Sequence, residues 1–446
     1  MIVVHRIALD PNAKQETFFR KSAGTARFAY NWALAEWRRQ YEEGGKPTES
    51  NLRRLLNQIK EQANPWMLEV SKNVIQQAIK NVGAAFTNFF RRLEAYQHEP
   101  DPRRKKRLKK QLGYPKFKKK GRSRDSFRAD NGPSKASPDA VRVDGVYVVL
   151  PKIGRIRMRE RLRFSGPIKS AVVSRTADHW FVALSVEVPE EVLPRKNHAV
   201  VGVDLGIKTL ATVSDGRGEF HAEHQSPYAR KKVAKKRRRL AKSLSCKQGP
   251  EPGKKPSKNF VKAARRLARI DARTANIRAD ATHKATTDLC RTCSEIVLED
   301  LSVQGMMANH KIAGAISDAA FFEFRRQIDY KAKRYACKVT IAPRFFPSSK
   351  LCSKCGQSNE NLTLRDRVWT CPECGAVHQR DRNAAQNLAS LAESSPATAW
   401  IVGSKDTAIL PCEHGNGAAS SGSGRKPRTK LAAVKQEPTR GIKSQG

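Results

Sequence analysis

The sequence predicts a multidomain α/β protein, and three observations carry that prediction. Its 446 residues exceed what one core usually organises, since single domains run to about 100–200 residues. Hydrophobic periodicity switches along the chain from a helical spacing of three to four, to a strand spacing of two, and then to a mixture of both. Between the last strand signal and the last helix signal stands a cysteine array, Cys352-x2-Cys355 and Cys371-x2-Cys374, with fifteen residues between the pairs.

Residues 2–9 read as one β-strand, which needs a sheet to satisfy its edges. The pattern then turns helical, with Ala26, Tyr30, Ala33, Trp37 and Tyr41 on one face. It continues through Leu52, Leu55, Leu56 and Ile59, then Ile75, Ile79, Val82, Phe86, Phe89 and Leu93, with breaks at Gly44-Gly45 and Asn64-Pro65. These aromatics are expected to be core rather than base-stacking groups. From about residue 140 the period is two: Val141 and Val143, the turn Asp144-Gly145, Val146 and Val148, then Arg155, Arg157 and Arg159 alternating with Ile156 and Met158. Trp180, Val182, Leu184 and Val186 alternate likewise, so 140–188 is expected to form a small barrel or curved sheet that the first strand can join. The helical block is then an insertion in a split β domain.

A third, mixed α/β unit opens at 199–223 with two apolar strands and a turn at Asp215-Gly216. Basic helices are expected at about 226–244 and 258–291, a strand at Ile296–Leu301, one helix around 316–336 and a strand at Val339–Ala342. Residues 392–446, rich in Ser, Gly, Pro and Lys without periodicity, are expected to be a disordered or loosely attached basic tail.

Lysine and arginine number 86 against 42 acids, a formal charge of +44 that calls for a polyanionic partner. The charge is clustered: residues 101–125 hold 13 basic and two acidic side chains, 230–242 hold nine basic and no acidic ones, and a third run spans Lys254–Arg273. Lys116, Lys118, Lys231, Lys232, Arg237, Arg238, Arg265 and Arg266 are the candidates for gripping backbone phosphates. The runs lack the apolar face that membrane binding needs, no run of about 18 apolar residues is present, and the first residues do not form a signal peptide. A soluble cytoplasmic protein is expected.

Two Cys-x2-Cys turns closed by a short hairpin suit a tetrahedral Zn²⁺ site, and four thiolates leave no open position, so the zinc is structural and His378 is not needed as a ligand. Cys290 and Cys293 share the spacing but lack a second pair, and are expected to be helix-packing thiols. Only seven residues beyond Cys374 lies Asp381. Asp204 interrupts the apolar strand Val200–Val203, where an unpartnered charge is unfavourable. Glu299 ends the apolar run Ile296–Leu298 with Asp300 next to it, and only one of the two can face a site. Cleaving a phosphodiester with hard divalent ions needs oxygen ligands from separate elements, which Asp204, Glu299 and Asp381 can supply. Taken alone, Asp381 is better explained as an N-terminal helix charge or cap.

The strings Gly202-Val-Asp-Leu-Gly-Ile-Lys208, Val297-Leu-Glu-Asp-Leu-Ser-Val303, Phe346-Pro-Ser-Ser-Lys-Leu-Cys-Ser-Lys-Cys-Gly356 and Arg380-Asp-Arg-Asn-Ala-Ala-Gln-Asn387 resemble the TnpB family of IS200/IS605-type transposons. Further similarity lies in Gly113–Lys118, in Ala315–Ala319 and in Arg325–Lys331. The resemblance implies a RuvC-like, RNA-guided DNA endonuclease related to the ancestors of Cas12 effectors. Its fold would be RNase H-like, with Asp204, Glu299 and Asp381 as catalytic residues holding Mg²⁺ as a pair of ions, and with the zinc ribbon set before the last helix. The implied layout is a split β-barrel (wedge-like) domain at 1–9 and 113–195, a helical recognition domain at 10–112, a nuclease domain at 196–344 and 376–391, and the ribbon at 345–375. The implied partners are a guide RNA from the transposon end and a double-stranded DNA target beside a short flanking motif. Gln379 stands where the family often has an acid, which bears on local tuning only, and His378 is left as a helix-start or metal-supporting contact. Two rivals share the observations: a strand-joining transposase of the same fold and a non-catalytic zinc-ribbon regulator that binds nucleic acid.

Overall fold

The computed structural model describes residues 1–131, 140–190, 193, 199–207, 209–216, 219–220, 227–249, 251, 254–363 and 365–394. The expected tail at 392–446 therefore lies outside the described residues, except that the last helix runs three residues into it, to Ser394. No helix among the described residues is long and apolar enough to cross a membrane.

Strand β1 (Ile2–Asp10) alternates exposed and buried positions and is followed by four helices: α1 (Ala13–Glu42), α2 (Glu49–Ala63), α3 (Lys72–Gln97) and α4 (Pro102–Gln111). Asn12 starts α1 with a reciprocal cap: its side chain accepts from the Gln15 N–H at 2.9 Å while the Gln15 side chain accepts from the Asn12 N–H at 3.1 Å. Pro65 opens a 3-10 turn over Pro65–Glu69 that separates α2 from α3. The helices bury Ala29, Leu34, Leu52, Leu56, Ile79 and Phe86 in a core of their own. The expected aromatic core is met in part: Trp37 stacks on Phe86 at 4.5 Å, whereas Tyr41 is exposed. Helix α4 falls inside a basic run read as a charge stripe; it buries no residue, and its seven lysines and arginines hid the helical period.

The chain then returns to a sheet with β2 (Ser126–Asp130), β3 (Arg142–Asp144), β4 (Tyr147–Leu150), β5 (Gly154–Met158), β6 (Ile168–Thr176) and β7 (His179–Glu187). The order is β2-β6-β7-β1-β5-β4-β3, antiparallel throughout, so the N-terminal strand sits in the middle. Ile7, Leu9, Ile156, Trp180, Val182 and Leu184 form its core, into which α1 inserts Phe19, 5.1 Å from Trp180. At one end the outer strands meet. Asn131, just past β2, donates to the Val141 carbonyl at 2.6 Å and accepts from the Val141 N–H at 2.7 Å, just before β3. Strand β2 alternates over its five residues, whereas β6 does not, and a register shift between Ile168 and Ser170 breaks its period of two.

The second sheet comprises β8 (Ala199–Asp204), β9 (Ala211–Val213), β10 (Glu219–Phe220), β11 (Cys293–Leu298) and β12 (Lys338–Ile341), ordered β10-β9-β8-β11-β12. Strand β8 is antiparallel to β9 and parallel to β11, which is parallel to β12. Between them run α5 (Pro227–Ser245), α6 (Lys258–Thr292), α7 (Val303–Ala308), α8 (Ala313–Ala319) and α9 (Phe321–Tyr335). The single helix expected around 316–336 is two. Ala320, at φ 55°, takes a left-handed conformation between them, and no Gly or Pro announces the break.

Val201, Val203, Ile296 and Leu298 point from the sheet to Leu289 of α6 and to Phe324 and Ile328 of α9. The opposite face, through Val297 and Ala342, meets Leu388 of the last helix, α10 (Arg380–Ser394). A sheet covered on both faces explains why β8 and β11 read as continuous apolar runs. Cys290 and Cys293 lie buried in this core with Cys337, as packing thiols, and burial pushes the Cys290 thiol up to about 12. Between β12 and α10 stands a small unit with a hairpin of β13 (Val368–Thr370) and β14 (Val377–Gln379).

Candidate functional site

Strand register brings two of the three acids side by side. Val203 of β8 pairs with Leu298 of β11, so Asp204 and Glu299, the next residue on each strand, emerge together at the carboxyl edge of the parallel strands. That edge is where open α/β sheets bind ligands. The third acid arrives on α10. Gly202, two residues before Asp204, lies so close beneath this helix that a Cβ there would fall 2.0 Å from the Ala385 carbonyl oxygen. Only a residue without a side chain lets α10 approach, and the approach carries Asp381, one turn before Ala385, over the end of β8. The electrostatics record the meeting: burial first, then the Glu299 and Asp381 charges, push the Asp204 carboxyl up to about 8, against the pull of Arg380 and Arg367.

Each of the other two acids has a partner that periodicity did not reveal. Ser348 Oγ donates to Glu299 Oε1 at 2.5 Å. Arg367 Nη1 donates to both carboxylate oxygens of Asp381, at 3.2 Å each. Both partners flank or belong to the cysteine unit, which therefore touches the carboxylate centre twice. Asp300 faces away, held by Arg325 at 3.2 Å and Arg344 at 2.5 Å. Gln379 caps α10, its Oε1 accepting from the Arg382 N–H at 2.6 Å, a task that a carboxylate at this position can also perform.

Cys352, Cys355, Cys371 and Cys374 converge so that their sulfurs all lie within 4.8 Å of one another; among the described residues no other group of three or more ligating side chains is as tight. Two sulfur pairs stand at 3.6 Å. A tetrahedron with zinc–sulfur bonds of about 2.3 Å has edges of roughly 3.8 Å, so the donor set fits Zn²⁺. Each Cys-x2-Cys turn ends in a glycine with positive φ, Gly356 at 77° and Gly375 at 66°, whose N–H groups return to the Cys352 and Cys371 carbonyls at 2.9 and 3.0 Å. His378 stands outside the tetrahedron: its Nε2 lies 3.0 Å from Cys352 Sγ and its ring packs 4.8 Å from Trp369.

Helix α10 also holds the cysteine unit. Asn387 Nδ2 donates to the Ser348 and Leu351 carbonyls at 2.7 Å, and Asn383 donates to Leu351 at 2.6 Å while accepting from the Ser353 N–H at 3.0 Å. Asn383 and Asn387 stood in the sequence only as part of the string Arg380–Asn387; their bonds to Ser348, Leu351 and Ser353 were not legible there.

The phosphate-gripping candidates are scattered over three elements. Lys231, Lys232 and Arg238 are exposed on α5, and Arg265 and Arg266 on α6, while Arg237 ties the two helices through Asp271 at 2.8 Å. Lys116 is exposed, whereas the ammonium of Lys118 lies 4.2 Å from the centre of the Tyr30 ring.

Residues 183–310 match the OrfB_IS605 family, described as "Probable transposase", and residues 321–388 match the Cas12f1-like TNB domain. Residues 1–46 match the family's "Helix-turn-helix domain", here a strand and one long helix. A protein of Streptomyces pristinaespiralis, provisionally named an RNA-guided DNA endonuclease, is 32% identical over 438 residues, covering 96% of this chain and 94% of that one. InsQ of Escherichia coli K12, under the same provisional name, is 28% identical over 404 residues, covering 86% and 90%. Among solved structures, a Cas12f1–sgRNA–target DNA complex aligns with a TM-score of 0.47 and 16% identity over 85% of this chain and 83% of that one. The chain belongs to the TnpB family, the OrfB proteins of IS605-type transposons.

Proposed function

We propose that this protein is an RNA-guided DNA endonuclease of an IS200/IS605-type transposon that hydrolyses phosphodiesters at Asp204, Glu299 and Asp381. The observation that carries the proposal is the convergence of three acids from distant parts of the chain, close enough that two of them raise the pKa of the third. The names of the relatives support the guide RNA and the DNA target. The sheet order, with its first strand central, antiparallel to the second and parallel to the fourth, supports an RNase H-like, RuvC-type nuclease domain at 196–344 and 376–391, with a zinc ribbon at 345–375. The seven-stranded sheet, whose edges meet at Asn131, is the split β-barrel of a wedge-like domain at 1–9 and 113–195, and 10–112 is the recognition domain.

Hard oxygen donors that repel one another suit divalent cations, which would hold the three carboxylates together as a pair of Mg²⁺ ions. Bound Mg²⁺ would supply Lewis-acid stabilisation of the attacking and leaving oxygens. The chain's own contribution is positioning. Ser348 orients Glu299, Arg367 orients Asp381, and Gln379 fixes the start of α10. The exposed cations of α5 and α6 grip phosphates, so affinity should fall steeply with salt.

Asp204→Ala tests the proposal. The variant should bind guide RNA and target like the parent while Mg²⁺-dependent cutting drops to background, measured on a guide-matched duplex. Persistent cutting would sink the assignment, and a joined rather than hydrolysed product would redirect it to strand transfer.

A further inference from the structure

Phe345 is the most exposed large hydrophobic side chain among the described residues, at 91%. It is not on a loose segment. It occupies the turn Pro343–Phe346, closed by the Phe346 N–H on the Pro343 carbonyl at 3.0 Å. On one side Arg344 is clamped to Asp300, and on the other Phe346 packs with Leu388 while Ser348 bonds Glu299. The turn directly follows β12, whose end lies in register with the end of β11, so the ring is mounted at the same sheet edge as Asp204 and Glu299. Arg344 stands next to it in the chain, and Arg367 and Arg380 partly offset the charge of the acids at the same edge.

A rigidly held, water-facing phenyl beside such an edge has one chemical complement there: the face of a nucleobase. Every base offers one, and only an unpaired strand leaves it free. We propose that Phe345 is a base-stacking post that takes one unpaired base of the DNA strand entering the carboxylate centre, and thereby sets which phosphodiester is cut. This rests on the nuclease function proposed above and names how that site registers its substrate.

The test uses the full chain with its co-purified RNA and an Asp204→Asn change to prevent cutting. Target strands carry 2-aminopurine at successive positions around the cut. Stacking on Phe345 should quench one position, Phe345→Trp should keep that quench and Phe345→Ala should lose it, with unchanged melting temperature because the ring is exposed. In the cutting-competent chain, Phe345→Ala should raise KM about tenfold, within the range for one lost base stack, and spread the cuts over neighbouring phosphodiesters. The same quench with Phe345→Ala, quench at no position in the parent, or an unchanged single cut would each overturn the post. A parent that never cuts would instead overturn the nuclease function, while the quench still reports on the post.

Discussion

The cysteine unit and the carboxylate centre are neighbours built in opposite ways. All four sulfurs come from one short segment, Cys352 to Cys374, and two glycine-closed turns organise them locally. The acids come from β8, from the loop after β11 and from α10, and they meet only because parallel strands share a register and a helix crosses a glycine. The first site can form on its own ligands. The second depends on the whole sheet, and on the first through Ser348 and Arg367.

Removing zinc should break the comparison most completely. Structural zinc contributes an apparent ~10–16 kcal/mol to small metal-held units at neutral pH, so Cys352→Ser should unfold the ribbon. Cutting should vanish with it, because Glu299 and Asp381 lose their partners, while far-UV circular dichroism should retain the two large sheets. Retained cutting by a zinc-free protein would show that the centres are independent. Gly202→Ala should do the converse. Its Cβ must displace the backbone of α10, costing about 1–3 kcal/mol as other overpacked sites do, and should move Asp381 enough to suppress cutting with zinc content unchanged. Zinc analysis beside thermal unfolding separates the two failures.

Asn387→Ala probes the joint between the regions. It leaves the Ser348 carbonyl without its donor and the Leu351 carbonyl with Asn383 alone, and should lower stability by about 1–3 kcal/mol, measured as a shifted urea midpoint at unchanged slope. The remaining effect is a gain. The Asp204 carboxyl has its folded pKa raised to about 8 from an ordinary value near 3.8, so the folded state prefers the proton. Its stabilising contribution is present below about pH 4 and is lost as pH rises to about 8. Metal-free Asp204→Asn should therefore match the parent at low pH and exceed it increasingly up to about pH 8. A gain independent of pH would mean that neither burial nor the neighbouring acids raise the Asp204 pKa.

The same contrast explains what could be read in advance. The four cysteines and the strong helices α1, α3 and α6 are written in local spacing. Glu299 and Asp381 are ambiguous by that measure: each ends or begins an element, where acids are common for other reasons, and only motif resemblance singled them out. Strand β6, the break at Ala320 and the helix α4 escaped, because a register shift, an unannounced left-handed alanine and a uniform run of cations erase periodicity, while β2 alternates over only five residues, too few to stand out.

From local spacing alone came the α/β class, the four-cysteine cluster and the order of the strongly periodic elements, because hydrophobic period and ligand spacing act over a few residues. Tertiary structure alone decided that Asp204 and Glu299 share an edge, that Gly202 lets α10 bring Asp381 to them, and that Ser348 and Arg367 tie the ribbon to the acids. Those facts depend on strand pairing and close packing between segments far apart in the chain, which no local pattern encodes.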